Sequence, residues 1–248
     1  MDPGATRRSR SFAEVFVIHG PHRAVLFDLF DTLVQVDSEA YLEGKREEAR
    51  LLGVEPERFI AAWIELSDRA QRGELPDFAA RLRHAARACG VNPADVTLKR
   101  VALLEERMTT MTSLHPDVLP TLEALRRDRR LRLGLVSNAS STAELLVQRL
   151  DLARHFDHLE FSFRVGVLKP DPGIYLFACR ALGVRPDECL FVGDGNGFEL
   201  DGARALGMEA LRIVRAVGSG PFRKGESLTF DASVDDLTRV LTLVRPAA

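Results

Sequence analysis

The stretch Ala24-Val25-Leu26-Phe27-Asp28 decides the fold. Four apolar residues in succession, without the alternation of a half-exposed strand, are the pattern of a strand buried on both faces of a parallel sheet. The run ends abruptly on a carboxylate. In open α/β sheets ligands bind outside the carboxyl ends of the strands, so Asp28 stands where chemistry is expected.

From about Ala40 to Met111 the texture changes to helix formers, dense in Arg, Glu, Ala and Leu, with breaks at Gly53, at Gly73 to Pro76 and at Gly90 to Pro93. That predicts about four helices and no strand. Alternation then returns: a strand over Leu131 to Val136, a helix from about Ser141, a strand over Leu190 to Val192, a helix from about Leu200 and a strand over Leu211 to Val214. Val234 to Val244 reads as a last helix. Ser141 with Glu144 is a candidate capping box, and Asp171 before Pro172 pairs an N-cap with a proline at the first helical position. The expected architecture is α/β: a doubly wound, mainly parallel Rossmann-like sheet core over 21–36 and 114–248, a small α-helical insert over 37–113, and a flexible N-terminal arm over 1–20.

Composition suits this. A chain of 248 residues with 46% hydrophobic content can bury a core and a smaller inserted unit. A net charge of −2 gives no global field towards nucleic acid or an anionic membrane, so anion binding must be local. No segment is long and apolar enough to span a bilayer. The widely spaced Cys89, Cys179 and Cys189 follow no metal-ligand spacing and fit reduced, packed thiols in a cytoplasmic protein. Lys45, Lys99, Lys169 and Lys224 are the only lysines, so a lysine in a meaningful place carries information.

Four polar signals fall at or just beyond predicted strand ends: Asp28, Ser137 with Asn138, Lys169, and Gly193-Asp194. Each alone reads as turn, cap or surface chemistry. In this order they resemble the four motifs of the haloacid dehalogenase-like hydrolases. The motifs here are Phe27-Asp28-Leu29-Phe30-Asp31-Thr32-Leu33, Ser137-Asn138, Lys169-Pro170-Asp171-Pro172, and Val192-Gly193-Asp194-Gly195-Asn196-Gly197-Phe198-Glu199. The insert between the first two is similar to that family's helical cap.

The resemblance implies a Mg²⁺-dependent phosphatase of small phosphoesters, in which Asp28 becomes an aspartyl-phosphate that water then cleaves. It implies Mg²⁺ held by Asp28, the backbone carbonyl of Phe30, Asp194 and Glu199. It further implies that Lys169 cancels charge beside the nucleophile and that Ser137 and the backbone around Asn138 bind phosphoryl oxygens. Asp201, near Glu199, is expected to face outward.

One position departs from the pattern. Phosphatases of the family place a second aspartate two residues after the nucleophile, and here that residue is Phe30. General acid–base catalysis is worth about 10²- to 10⁴-fold, so the gap bears on the reaction class. Asp31, a substrate group, a cap residue or a good leaving group is the replacement under the phosphatase reading. The alternatives are a metal-independent 2-haloacid dehalogenase-like hydrolase, or a phosphate-ester-binding module with little turnover. Within the insert, Tyr41, Trp63 and five arginines (Arg46, Arg69, Arg72, Arg81 and Arg83) are possible substrate contacts, set against core packing for the Trp and a solvated face for the arginines. His84 and His115 lie in no ligand spacing and stay outside the expected mechanism.

Overall fold

The computed structural model describes residues 18–109, 112–128, 130–215 and 223–247. Most of the expected N-terminal arm, residues 1–17, lies outside them. Ile18 is already buried against the sheet.

The apolar run forms β1 (Ala24–Phe27), every residue of it fully buried. Val25 and Phe27 enter one apolar cluster, Ala24 and Leu26 the other, so successive side chains serve opposite faces. Each large side chain so buried contributes roughly 1.5–3 kcal/mol of transfer free energy. That explains the lack of alternation in the sequence. The exit strand β2 (Val34–Gln35) leads to five helices: α1 (Ser38–Leu52), α2 (Pro56–Glu65), α3 (Ser67–Gln71), α4 (Phe78–Ala88) and α5 (Asp95–Thr109). The return strand β3 (Ser113–Leu114) pairs antiparallel with β2, Val34 opposite Leu114, where the chain leaves and re-enters the core.

The rest of the chain follows as α6 (Val118–Arg127), β4 (Arg132–Ser137), α7 (Thr142–Arg149), β5 (His158–Phe161), α8 (Ser162–Val165), α9 (Pro172–Leu182), β6 (Cys189–Gly193), α10 (Glu199–Ala205), β7 (Glu209–Ile213), β8 (Ala232–Val234) and α11 (Val240–Leu243). Six strands form one parallel sheet in the order β5-β4-β1-β6-β7-β8. β1 is central, and the chain crosses it between β5 and β6, the kind of switch point at which open sheets bind ligands. The helices of the insert share their own cluster, including Leu52, Phe59, Trp63, Leu82 and Val101.

Two expectations need correction, and two strands were not foreseen. The segment from Val234 is not one helix: it closes strand β8, then makes a 3-10 turn (Leu237–Arg239) and the single turn of α11. Its apolar residues look helical in spacing because the short turns and the strand end all face one core. The capping box at Ser141 does not form; Ser141 has helical backbone angles (φ −57°, ψ −22°) and Glu144 instead pairs with Arg164. Edge strands β5 and β8 were not expected, because His158-Leu159-Glu160-Phe161 is half polar and β8 is three residues long. The Asp171 cap does form, its carboxylate accepting from the Gly173 N–H at 2.8 Å.

Candidate active site

Three adjacent strands, β4, β1 and β6, bring the signals together. Asp28 follows β1 and is tied to β6 by its N–H, which donates to Val192 O at 2.9 Å. Asp194 follows the last residue of β6, and Glu199 opens α10. The turn between them bends through left-handed backbone at Gly195 (φ 90°) and Gly197 (φ 64°), which folds Glu199 back under Asp194. Lys169 reaches in from the loop before α9. Its Nζ donates at 2.5 Å to both Asp28 Oδ1 and Glu199 Oε2. Glu199 is held further by the Gly195 N–H on Oε1 (3.1 Å), and its carbonyl accepts from the Tyr175 hydroxyl at 2.7 Å.

Charge is unbalanced here. Burial pushes the Asp28 carboxyl up, opposed by Lys169 and reinforced by Asp194. Burial, with Asp28 adding to it, drives Glu199 well above the carboxylate range despite Lys169. For Lys169 burial favours proton loss, but Asp28 and Glu199 outweigh it and its pKa is pushed up to about 12. The lysine is therefore a fixed cation, and the carboxylates around it are in excess.

Carboxylate oxygens of Asp28, Asp194 and Glu199 lie within 4.8 Å of one another, all buried. A buried cluster of hard oxygen donors with surplus negative charge suits a divalent cation such as Mg²⁺, and the set contains no soft ligand. The donor set thus fits the expected metal.

The remaining expected residues divide. Asn138 turns its side chain onto the backbone of Lys169. The Ser137 hydroxyl is fully buried and has no hydrogen-bond partner among the described residues, while Asn138 and the residues up to Thr142 line the cavity beside it. Phe30 lines the cavity. Asp31 is buried with left-handed backbone (φ 56°), its N–H donating to Val34 O, and it does not join the residues lining the cavity. Asp201 faces away and accepts from the Leu228 and Thr229 N–H groups.

Two partners escaped the sequence. Arg223 donates to Asp194 Oδ2 at 2.5 Å, and Tyr175 supports Glu199 from α9. Arg223 sits in an aperiodic loop beyond the last motif, and Tyr175 reads as one more apolar helix residue; neither position carries a local signal.

Above Asp28 the core and the insert enclose a cavity of about 290 Å³. Tyr41, Trp63, Arg81 and Glu105 form part of its far wall. The other four candidate arginines of the insert are engaged elsewhere: Arg46 with Glu43 and Glu57, Arg69 with Glu74, Arg72 with the Gly166 carbonyl, Arg83 with Asp95. Among the described residues no helix is long and apolar enough to cross a membrane.

Comparison with known proteins agrees with this geometry. A family model described as haloacid dehalogenase-like hydrolase matches residues 22–207. The chain is 31% identical over 240 residues to a glyceraldehyde 3-phosphate phosphatase of Methanopyrus kandleri, covering 91% of this chain and 98% of that one. It is 29% identical over 211 residues to an (S)-2-haloacid dehalogenase of a Pseudomonas species, covering 79% and 86%. Among solved structures, a HAD phosphatase from Thermococcus onnurineus superposes with a TM-score of 0.65 at 26% identity, over 90% of this chain and 99% of that one. A 2-haloacid dehalogenase from Pseudomonas syringae gives 0.67 at 25%, over 90% and 97%. With its motifs converging at the ends of three adjacent strands, the chain belongs to the haloacid dehalogenase-like hydrolases.

Proposed function

We propose that the chain is a Mg²⁺-dependent phosphatase of a small phosphorylated metabolite, acting through an aspartyl-phosphate on Asp28. The observation that carries this reading is the convergence of Asp194 and Glu199 on Asp28 within 4.8 Å. Displacement of halide from carbon by Asp28 needs no such cluster, whereas attack on a phosphate dianion does, because nucleophile and substrate repel. Bound there by Asp28, Asp194, Glu199 and the Phe30 carbonyl, Mg²⁺ would supply charge cancellation.

Asp28 attacks phosphorus through a carboxylate oxygen, the bond from phosphorus to the ester oxygen breaks, and water then cleaves the acyl phosphate to release inorganic phosphate. Lys169, charged near neutrality, holds the attacking carboxylate and offsets the phosphoryl charge. Ser137 has a buried hydroxyl to spare for a phosphoryl oxygen. Phe30 excludes water from the cavity but donates no proton, so the leaving oxygen must tolerate its own charge.

A second reading, a metal-independent 2-haloacid dehalogenase, is favoured by Phe30 at the cavity wall and by the dehalogenase relatives. The deciding experiment is turnover of an aryl phosphate and a metabolite panel with and without Mg²⁺, using wild type and Asp28→Asn. Metal-dependent phosphate release abolished in the variant is the expected result. Halide release from short 2-haloacids without metal would replace the proposal with the second reading, and ester binding without turnover would reduce the site to a binding pocket.

A further inference from the structure

Three cationic side chains line the cavity among the described residues: Lys169, Lys224 and Arg81. Lys169 is matched by Asp28 and Glu199, and Lys224 by Asp68. Arg81 makes no ion pair among the described residues. Its guanidinium carbon lies over the Trp63 ring, 3.9 Å from the centroid. Its Nη2 donates to the Trp63 carbonyl at 2.6 Å and to Ser67 Oγ at 2.7 Å. Its Nε is buried with no hydrogen-bond partner.

The contrast with its neighbour is informative. Lys45 also lies over the Trp63 ring, 4.2 Å from the centroid, and is fully buried. It is nevertheless held by Glu48 at 2.8 Å and Glu105 at 2.9 Å. Glu105 and Glu48 also act on Arg81 at longer range, but both acids hydrogen-bond to Lys45 and no carboxylate among the described residues reaches the Arg81 fork within ion-pair distance. Two fixed acceptors and the Trp63 ring beneath it hold the Arg81 fork in place, an arrangement that loses little entropy on capturing an anion.

We propose that Arg81 is the specificity residue of the site and that it takes a carboxylate carried by the substrate at the end remote from the scissile phosphate. This rests on the phosphatase reading and narrows it to small phosphoesters of a carboxylic acid. A monoanion is specified because Arg81 is the one cation lining the cavity, among the described residues, that makes no ion pair; Glu105 on the same wall is taken up by Lys45, and Trp63, Phe78 and Leu75 beside Arg81 are apolar. A second phosphate dianion would leave charge unmet. The cavity volume of about 290 Å³ admits a short chain between the two ends.

The test is calorimetric binding, in Mg²⁺, of phosphonoacetate and 3-phosphonopropionate against the size-matched uncharged ethylphosphonate and propylphosphonate. Wild type is expected to bind at least one carboxylate ligand about 10- to 100-fold more tightly than its uncharged match, as a charge-assisted hydrogen bond allows. Arg81→Gln is expected to bring that ratio close to one, and Arg81→Lys to leave it intermediate. Equal affinities in wild type, or a ratio that survives Arg81→Gln, would overturn the proposal. Equal wild-type affinities overturn the proposal whatever the variants do, while a wild-type preference is assigned to Arg81, and not to Mg²⁺ chelation by the two acid groups, only where Arg81→Gln or Arg81→Lys, shown folded by a thermal melt, reduces it. The readout does not require turnover, so absence of phosphate release would defeat the phosphatase reading while the affinity ratio still judges Arg81.

Discussion

Asn138 grips the backbone of Lys169 at both ends of one residue. Its Oδ1 accepts the Lys169 N–H at 2.7 Å and its Nδ2 donates to the Lys169 carbonyl at 3.0 Å. One amide side chain thus mimics a strand neighbour and fixes where the Lys169 stem begins. The sequence reading gave this region to phosphate contact through its backbone; the side chain's part is to position the cation.

Asn138→Leu, similar in size but unable to make either bond, should therefore cost activity through Lys169. Misplacing a charged group by about 1 Å can cost on the order of 10²-fold, so kcat/KM for an aryl phosphate should fall about 10- to 100-fold. Steady-state kinetics beside a thermal melt checks this. A large loss of stability with kcat/KM intact would make Asn138 only a turn residue.

Legibility of the sequence followed burial. β1, β4, β6 and β7 announced themselves because strands covered on both faces carry runs of buried apolar residues, interrupted only at Arg132, Ser137, Glu209 and Arg212. β5 and β8 lie at the sheet edges, where His158, Glu160 and Ser233 are tolerated and dilute the signal. Asp28, Asp194 and Glu199 were legible because each follows a strand or opens a helix, and Lys169 because it stands just before the Asp171-Pro172 helix start, although it lies in a loop after α8 and not at a strand end. Arg223 was not, since its link to Asp194 crosses 29 residues without any local pattern. That Arg81 lines the cavity while Arg46, Arg69, Arg72 and Arg83 do not depends on helix packing that spacing alone does not encode.

Burial drives the Glu199 carboxyl well above the ordinary carboxylate range despite its bond from Lys169. Because its folded pKa is raised, its contribution to stability is complete at low pH and is lost as pH rises. Asp28 has the same sign. Metal-free protein should accordingly melt lower near pH 8 than near pH 5, with Mg²⁺ restoring most of the loss at the higher pH. Glu199→Gln should flatten the profile and weaken Mg²⁺ binding about 10- to 100-fold. Melting curves with and without Mg²⁺ measure both; a profile unchanged by the substitution would remove Glu199 from the cation site.

Glu48 offers an independent pH test within the insert. One oxygen accepts from Lys45 and the other is buried without a partner, while Lys45 is shared with Glu105. Burial pushes the Glu48 carboxyl up to about 8, against the pull of Lys45. Its stabilising share is full below its ordinary value of 4.5 and is lost as pH rises through about 8. Glu48→Gln should therefore raise the melting temperature above pH 8, by about 5 °C, and change it little near pH 5. A melting temperature lowered equally at both values would mean that the ionised pair with Lys45 dominates.

Phe30 bears on the reaction class most directly. Its ring packs on the core cluster and lines the cavity two residues after Asp28, where a carboxylic acid would protonate the leaving oxygen. Without that acid, alkyl phosphates should turn over far more slowly than aryl phosphates, because only the aryl oxygen leaves well as an anion. Phe30→Asp should narrow the gap by raising alkyl phosphate turnover about 10-fold or more, within the range general acids supply. Lost packing should lower the melting temperature at the same time. Phe30→Leu, which keeps the site apolar, separates the two effects: it should leave the alkyl to aryl ratio unchanged. If wild type already hydrolyses both classes equally, a proton donor other than the residue at position 30 acts in the cavity, and Glu105 and Tyr41 on the far wall become the first side chains to replace.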